Sequence, residues 1–361
     1  LNSMRRIISY SQAINEAQEI AMKKNNKVIA IGEGVPDPKA IFGTTSGLFE
    51  KFGKNRVFDS PLSENGVTGI CIGLALNGLR PILIHQRIDF SLLSMDQIVN
   101  NAAKWYYMFN GQSNIPLVIR LIIGRGWGQG PQHSQGLHGM FSQIPGLKVV
   151  MPSTAYDAKG MLLSSIKDNN PVLFIEHRWL HNMRDYVPKK SYYLPLDKAK
   201  KINTGKDVTI ASFSLMSIDL LRISKIFKKS FNIGIDLIDM RSLRPLDMQA
   251  ITKSLKKTGR LIVADNSFNS ASISSEIISQ CVENLLPYLK QKPLRISYPE
   301  FPIPTSHYMT KEFYPDHVDI FLKIANFLKI DKKSDIFTKI IDSIKNNNYH
   351  DIPNKDFTGP F

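Results

Sequence analysis

Short, wholly apolar runs rich in Val and Ile recur along this chain and alternate with stretches that have a helical apolar period. Such runs are typical of strands buried on both faces, as in parallel sheets covered by helices. Two series of strands are predicted, at Val28–Ile31, Pro81–His85, Leu117–Ile123, Lys148–Met151 and Val172–Glu176, then at Val208–Ser212, Gly234–Ile238 and Leu261–Ala264. Because connections between parallel strands are right-handed, the pattern predicts an α/β protein with two doubly wound domains.

Helical patterns separate these strands. They cover Tyr10–Lys23, Val67–Asn77, Met95–Met108, Ala155–Lys167, Ser217–Lys228, Met248–Lys257, Ile273–Leu286 and Ile336–Ile344. We expect a first domain in residues 1–185, a Tyr-, Pro- and Lys-rich linker in 186–206, a second domain in 207–330 and a C-terminal extension in 331–361. The extension, with its apolar-tipped end, is either a frayed terminus or an arm that docks on a partner.

The formal net charge is +15, and lysines are spread thinly along the chain. Solvated helix faces or attraction to an acidic partner account for this charge, whereas a nucleic-acid partner is not expected without a dense basic stripe.

No apolar stretch has the length of a membrane span or the form of a secretory leader, so we expect a cytoplasmic protein without a membrane partner. Cys71 and Cys281 lie in apolar runs and are predicted to be buried thiols, as suits a reducing compartment.

Several generic catalytic motifs are absent from the sequence. It has no phosphate-binding loop, no Gly-x-Gly-x-x-Gly opening a helix, no zinc-protease His-Glu-x-x-His and no nucleophile elbow. These absences weaken assignment to ATPases, NAD-dependent dehydrogenases, zinc hydrolases and serine hydrolases.

Two polar residues stand where strand patterns end. Glu64 begins a helix for which Ser63 is the expected N-cap, and an acid there either serves a reaction or is simply favoured by the helix dipole. His133 ends a loop that begins at Gly124 and has glycines at alternate positions. Glycine lets backbone approach a ligand, and open α/β sheets bind ligands at their strand ends. This histidine is either a solvated loop residue or a proton carrier.

Seven runs form an ordered set that covers most of the chain. They are Phe58-Asp-Ser-Pro-Leu-Ser-Glu64-Asn-Gly66, Asp96-Gln-Ile-Val-Asn-Asn-Ala-Ala-Lys104, Gln132-His-Ser-Gln135, Pro145-Gly-Leu-Lys-Val-Val-Met-Pro152, Asp157-Ala-Lys-Gly160, Asp168-Asn-Asn-Pro-Val172 and Ile238-Asp-Met-Arg-Ser-Leu-Arg-Pro-Leu-Asp247. In order and spacing this set resembles the beta subunits of thiamine-diphosphate-dependent 2-oxo acid dehydrogenases. The resemblance implies a transketolase-like pyrimidine-binding domain followed by a transketolase C-terminal domain.

The resemblance also implies partners and cofactors. Beta subunits of this family form an alpha2beta2 heterotetramer, with thiamine diphosphate between alpha and beta chains. The alpha chain holds the diphosphate and magnesium through a Gly-Asp-Gly motif, which this sequence lacks. The reaction is oxidative decarboxylation of a small 2-oxo acid, with transfer of the acyl group to a lipoylated acyltransferase.

Individual residues take roles from the same resemblance. Glu64 matches the glutamate that hydrogen-bonds a nitrogen of the cofactor's aminopyrimidine ring, and Phe90 matches an aromatic residue that packs on that ring. His133 matches a histidine at the mouth of the site that is implicated in acyl transfer. Gln86 is expected to contact the cofactor as well as to support the loop, and Arg120 is expected to support the loop.

A structural potassium ion is a further implication of the resemblance. Its ligands would be backbone oxygens at Leu117, Ser165, Ile166, Asp168 and Asn170. Hard cations do favour clustered carbonyl oxygens. The alternative is a plain helix C-terminus followed by a turn, because Asp-Asn-Asn-Pro is a stop signal by itself.

The sequence departs from the family pattern around the substrate. Ile84 replaces a usual glutamate, His85-Gln-Arg-Ile88 replaces a stretch that contains an aromatic, His138 replaces a small or acidic residue, and Asp265-Asn-Ser267 replaces a glutamate followed by glycines. Tyr106-Tyr-Met108 and Arg80-Pro81 favour pyruvate as substrate. The altered rim leaves two alternatives open: a carboligase or transketolase-like subunit in a biosynthetic pathway, and a non-catalytic regulatory subunit.

Overall fold

The computed structural model describes residues 6–124 and 128–346. Its strands are β1 (Ile7–Ser9), β2 (Val28–Ile31), β3 (Val57–Phe58), β4 (Arg80–His85), β5 (Val118–Ile123), β6 (Lys148–Val150), β7 (Val172–His177), β8 (Arg184–Tyr186), β9 (Lys200–Asn203), β10 (Val208–Ser212), β11 (Ile235–Asp239), β12 (Ser242–Arg244), β13 (Leu261–Phe268) and β14 (Leu294–Tyr298). Its α-helices are α1 (Tyr10–Lys24), α2 (Ala40–Gly43), α3 (Leu48–Phe52), α4 (Glu64–Leu76), α5 (Trp105–Met108), α6 (His138–Ser142), α7 (Ala155–Lys167), α8 (Ser214–Phe231), α9 (Met248–Thr258), α10 (Ile273–Leu285), α11 (Thr310–Phe313), α12 (His317–Phe327) and α13 (Asp335–Asn346).

Two mainly parallel sheets organise the chain, as predicted. The larger sheet has the strand order β3-β2-β4-β5-β7-β6-β12, and every pairing in it is parallel except that of β12 with β6. The smaller sheet has the order β14-β13-β10-β11-β9, with β9 antiparallel at its edge. Strands β1 and β8 form a separate antiparallel pair. The predicted fold class is confirmed.

The two sheets share apolar packing instead of standing apart. One buried cluster contains Leu83 and Ile119 from the larger sheet together with Ala211 and Leu261 from the smaller one. Strand β12 follows β11 in the chain, yet it pairs with the edge of the larger sheet. Each half of the chain therefore contributes to the core of the other.

The segments predicted to be a linker and an extension both contain regular structure. Strand β9 lies within the linker and pairs with β11. Helix α13 packs on the second half through Phe337, whose ring lies 5.6 Å from that of Phe321, and through buried Ile344. The apolar-tipped end of the extension lies outside the described residues. The domain boundaries themselves stay a prediction.

The predicted helix Met95–Met108 is wrong as a single element. The chain instead forms a π-helical turn at Gln97–Ala102 and then the separate helix α5. A contact distant in sequence accompanies the break, because a Cβ on Gly146 would lie 1.8 Å from the carbonyl oxygen of Ala103. The neighbouring Lys104 ammonium donates to the carbonyl oxygen of Pro145 over 2.8 Å.

Two simpler expectations can also be compared with the structure. Cys71 and Cys281 are buried free thiols, as predicted, and burial raises the pKa of Cys71 to about 12 and that of Cys281 to about 11. Of the helices within residues 6–124 and 128–346, none has the length and apolar character needed to cross a membrane.

Arg120 was expected to support the active-site loop, and this expectation is wrong. Its guanidinium is wholly buried and pairs with Glu176 through contacts of 2.5 and 2.9 Å, while Gln18 of α1 accepts a third bond at 3.1 Å. His181 lies 3.1 Å from the same carboxylate. Side chains of a strand alternate between the faces of the sheet, and Arg120 lies on the face covered by α1. It stabilises the core there.

We predict that Arg120→Met lowers the free energy of unfolding by about 3–5 kcal/mol, because it leaves the Glu176 carboxylate buried without its main partner. The double variant Arg120→Met/Glu176→Leu should recover part of this loss, since it removes the stranded charge. Urea unfolding of both variants measures the difference. A double variant that is less stable than the single one would contradict the prediction.

Candidate active site

Three neighbouring parallel strands, β3, β2 and β4, end side by side at the edge of the larger sheet where ligands of open α/β sheets bind. A narrow cleft at this edge is lined by Glu33, which follows β2, by Glu64 at the start of α4, and by His85, Gln86 and Phe90 at and after the end of β4. The fold thus brings together Glu64, Gln86 and Phe90, the three residues predicted to contact a cofactor.

Glu64 presents a free carboxylate to the cleft. Helix α4 begins at this residue with Ser63 as its N-cap, as predicted, although the Ser63 side chain makes no capping hydrogen bond. Glu64 is half-buried, and within the described residues its carboxylate has no hydrogen bond or ion pair. A carboxylate without a protein partner can accept a hydrogen bond from the N–H of a ligand.

Glu33 is a site residue that the sequence analysis missed. Burial raises the pKa of its carboxyl group, and the nearby charges of Glu64 and Asp59 raise it further. The available signal was its place between two glycines directly after β2. A Cβ on Gly32 would lie 2.3 Å from the carbonyl oxygen of Ile84, so only glycine fits there. Two carboxyl groups therefore share the cleft, and the pKa of one of them, Glu33, is raised.

Gln86 connects the ends of two strands. Its side-chain amide donates a hydrogen bond to the backbone carbonyl of Glu33 over 3.1 Å. This bond ties the end of β4 to the turn after β2 and so holds one wall of the cleft. Contact between Gln86 and a cofactor stays a prediction.

His133 lies beside the cleft against Phe90. The two rings meet edge to face with their centroids 5.4 Å apart, and His133 is otherwise exposed to solvent. Gln135 donates to the Asp89 carboxylate over 2.7 Å and so fastens the loop to the segment that carries Phe90. Burial raises the pKa of Asp89, although the Gln135 hydrogen bond opposes this effect. The histidine is thus positioned at the mouth of the cleft.

The segment that follows His133, residues 134–138, is held between the two sheets. A Cβ on Gly136 would lie 2.0 Å from the carbonyl oxygen of Asn266. Two residues further on, the buried ring nitrogen Nε2 of His138 lies 2.7 Å from Asp265, whose other oxygen accepts a 2.7 Å bond from the Ser267 hydroxyl. His138 and Asp265, which both depart from the family pattern, therefore meet in one buried contact.

The predicted potassium ligands lie together around the end of α7 and the start of β7; they are Leu117, Ser165, Ile166, Asp168 and Asn170. Arg80 donates to the carbonyl oxygens of Ile166, at 2.8 Å, and of Asp168, while Lys148 pairs with the Asp168 carboxylate. The carbonyl of Leu117 accepts from the backbone of Val172 at 2.9 Å. Cationic side chains therefore engage the oxygens of Ile166 and Asp168, two of the five positions, as they would at a plain helix terminus. The potassium site stays a prediction, and no catalytic step is assigned to it.

The lining of the cleft combines apolar surface with a carboxylate. Val67, Leu83 and Phe90 provide apolar surface, and the unpartnered carboxylate of Glu64 can exchange a proton with a ring nitrogen. These features fit the aminopyrimidine part of thiamine diphosphate. The sequence has no Gly-Asp-Gly motif to hold the diphosphate.

Comparison with known proteins agrees with this geometry. Residues 6–183 match the family model of the transketolase pyrimidine-binding domain, and residues 197–320 match that of the transketolase C-terminal domain. Among solved structures, a protein titled "Split gene transketolase, inactive beta4 tetramer" matches with a TM-score of 0.72 and 17% identity, covering 90% of this chain and 99% of that one. The fold and cleft thus define a two-domain protein of the transketolase type.

Sequence relatives narrow this class. The chain is 39% identical to the Bacillus subtilis acetoin:2,6-dichlorophenolindophenol oxidoreductase subunit beta (86% of this chain, 94% of the relative). It is 40% identical to the pyruvate dehydrogenase E1 component subunit beta of Porphyra purpurea (81% and 88%) and 36% identical to the 2-oxoisovalerate dehydrogenase subunit beta of Bacillus subtilis (89% and 99%). The chain belongs to the family of 2-oxo acid dehydrogenase E1 beta subunits. Its pyrimidine-binding domain implies dependence on thiamine diphosphate, and the predicted resemblance is confirmed.

We predict that Gly136→Ala lowers the free energy of unfolding by about 1–3 kcal/mol, because the new methyl group collides with backbone between the sheets. Gly73→Ala is the matched control. No atom lies within 4 Å of a Cβ at Gly73, in the middle of α4, so alanine there should be neutral or stabilise the chain by up to about 1 kcal/mol. Thermal unfolding of the isolated chain tests both variants. Equal melting temperatures of the two variants would contradict the close packing of Gly136 between the sheets.

Proposed function

We propose that this chain is the catalytic beta subunit of a thiamine-diphosphate-dependent 2-oxo acid dehydrogenase and works in an alpha2beta2 heterotetramer. The observation that carries the proposal is the Glu64 carboxylate, which has no partner within the described residues and shares a cleft with Phe90. The acyl acceptor is the lipoyl group of an acyltransferase, and the complex works in the cytoplasm. The buried free thiols Cys71 and Cys281 support a reducing compartment.

An alpha subunit as partner is supported by the surface next to the cleft. Leu62, Ile70 and Leu93 are 81%, 57% and 64% exposed, and they lie on or beside the helix that begins at Glu64. Apolar side chains exposed together are a mark of protein interfaces. Docking of the alpha chain here would cover this surface, bring a diphosphate site to the cleft and exclude water from Glu64. Magnesium would belong to that alpha chain.

In the proposed mechanism this chain positions the cofactor and moves protons. Phe90 would pack on the aminopyrimidine, and Glu64 would hold and release a proton at a ring nitrogen. Glu33 provides a second carboxyl group, whose pKa is raised by burial and by the nearby charges of Glu64 and Asp59. When bound, thiamine diphosphate supplies the electron sink for decarboxylation. His133, at the mouth of the cleft, takes part in transfer of the acyl group to the acceptor as a proton carrier.

Pyruvate is the substrate favoured by the sequence, and the relatives' names include pyruvate, acetoin and 2-oxoisovalerate. One observation favours a second candidate, a thiamine-dependent carboligase whose acceptor is another carbonyl compound. Ile84 and His85, two positions at which the sequence departs from the family pattern, both line the cleft.

We predict that thiamine diphosphate with magnesium binds the mixture of this chain and its alpha subunit but not this chain alone, as measured by calorimetry.

Glu64→Gln should lower turnover of the assembled complex by at least about a hundredfold, because a neutral amide cannot relay a proton. Assembly, followed by gel filtration, should be unchanged. Full turnover in Glu64→Gln would instead support a non-catalytic regulatory subunit.

We predict that His133→Ala impairs acyl transfer more than decarboxylation. The comparison is between turnover coupled to a lipoyl carrier domain and turnover with an artificial electron acceptor, in one preparation. A loss of about 10²–10⁴-fold is expected only in the carrier-coupled assay, as for removal of a positioned proton donor. Equal losses in both assays would refute this role.

A further inference from the structure

His85 is a buried polar residue of the cleft to which the proposed mechanism gives no role. It is the last residue of β4 and pairs in register with Leu121 of β5. Its side chain projects from the same face of the sheet as Leu83, two residues earlier, which belongs to the same buried cluster as Val67 of α4. The histidine therefore lies between the sheet and the helix that presents Glu64.

The imidazole of His85 is poorly satisfied in the chain alone. The residue is only 6% exposed, and its Nε2 has no hydrogen-bond partner within the described residues. Burial lowers the pKa of His85 to about 4, so the ring is neutral at physiological pH. A neutral imidazole has one N–H donor and one acceptor nitrogen. Buried polar atoms in proteins are nearly always hydrogen-bonded, and an exception calls for an explanation.

The surroundings show where a partner for Nε2 can come from. Val67, Leu83 and Phe90, which line the cleft with His85, have apolar side chains. The polar side chains that also line the cleft, Glu33, Ser60, Glu64 and Gln86, make no hydrogen bond with Nε2 of His85 within the described residues. An apolar side chain at position 85 would suit the apolar neighbours without leaving a polar atom unpaired. The open side of this environment is the cleft itself, so a bound ligand can supply the missing hydrogen bond.

We propose that His85 is a further ligand-binding residue, whose Nε2 forms a hydrogen bond with a polar atom of the heteroaromatic ring received by Glu64 and Phe90. This inference rests on the proposed function, because it takes the ring to be the aminopyrimidine of thiamine diphosphate. It adds a side-chain contact at a position where the sequence departs from the family pattern. Within the described residues Nε2 of His85 has no hydrogen-bond partner, and the ring would supply one.

The test compares His85→Phe, which removes the polar atom and keeps a ring, with His85→Gln, which keeps a donor and an acceptor. Affinity for thiamine diphosphate with magnesium is measured by calorimetry on the assembled complex, and the melting temperature is measured on the chain alone. His85→Phe should weaken binding about tenfold, the effect of one lost buried hydrogen bond. It should leave the melting temperature unchanged or higher. His85→Gln should restore part of the affinity.

Leu121→Met is the matched control, because it alters packing on the same face of the sheet one strand away. It should leave the affinity unchanged. Wild-type affinity in His85→Phe overturns the inference. So does a lowered melting temperature together with weak binding in both His85 variants, which would indicate a structural role. Absence of binding by the wild-type complex is a separate outcome, which overturns the proposed function and this inference with it.

Discussion

Apolar burial between the two sheets is the constraint on which the site depends. Side chains from both sheets form one cluster, and β12 extends the larger sheet from the other half of the chain. The loop that carries His133 passes between the halves, where Gly136 and His138 meet the residues that end β13. Because these contacts fix the halves relative to each other, they also fix His133 relative to the cleft on the larger sheet.

The sequence predicted the sheets well because a strand buried on both faces must be apolar throughout. That same uniformity concealed which face each side chain occupies. Arg120 stands in such a strand, and nothing local distinguishes the face covered by α1 from the face covered by α4. Glu64 was predicted because it lies in one of the ordered runs, and Phe90 because the family resemblance matches it to an aromatic residue. Glu33 was missed because its neighbour Glu64, whose charge raises its pKa, is close only in the folded chain.

Errors in the predicted elements have the same origin. The apolar period of Met95–Met108 is compatible with one helix, but the helix breaks where Gly146, far along the chain, approaches Ala103. His138 and Asp265 are 127 residues apart and seemed to be unrelated departures from the family pattern. In the folded chain they are direct partners. Local patterns therefore specify elements, whereas breaks, charge partners and paired departures depend on contacts between distant segments.

The antiparallel strand β12 has a consequence for how such a protein can be divided. A cut in the segment between the halves would remove β12 from the first half and expose the backbone hydrogen-bonding groups of β6 along that edge. Unpaired strand edges recruit other chains and promote aggregation. The cut would also open the shared apolar cluster to water. The two halves thus resemble separate modules in sequence, but recombination of genes could not readily exchange one half without the other.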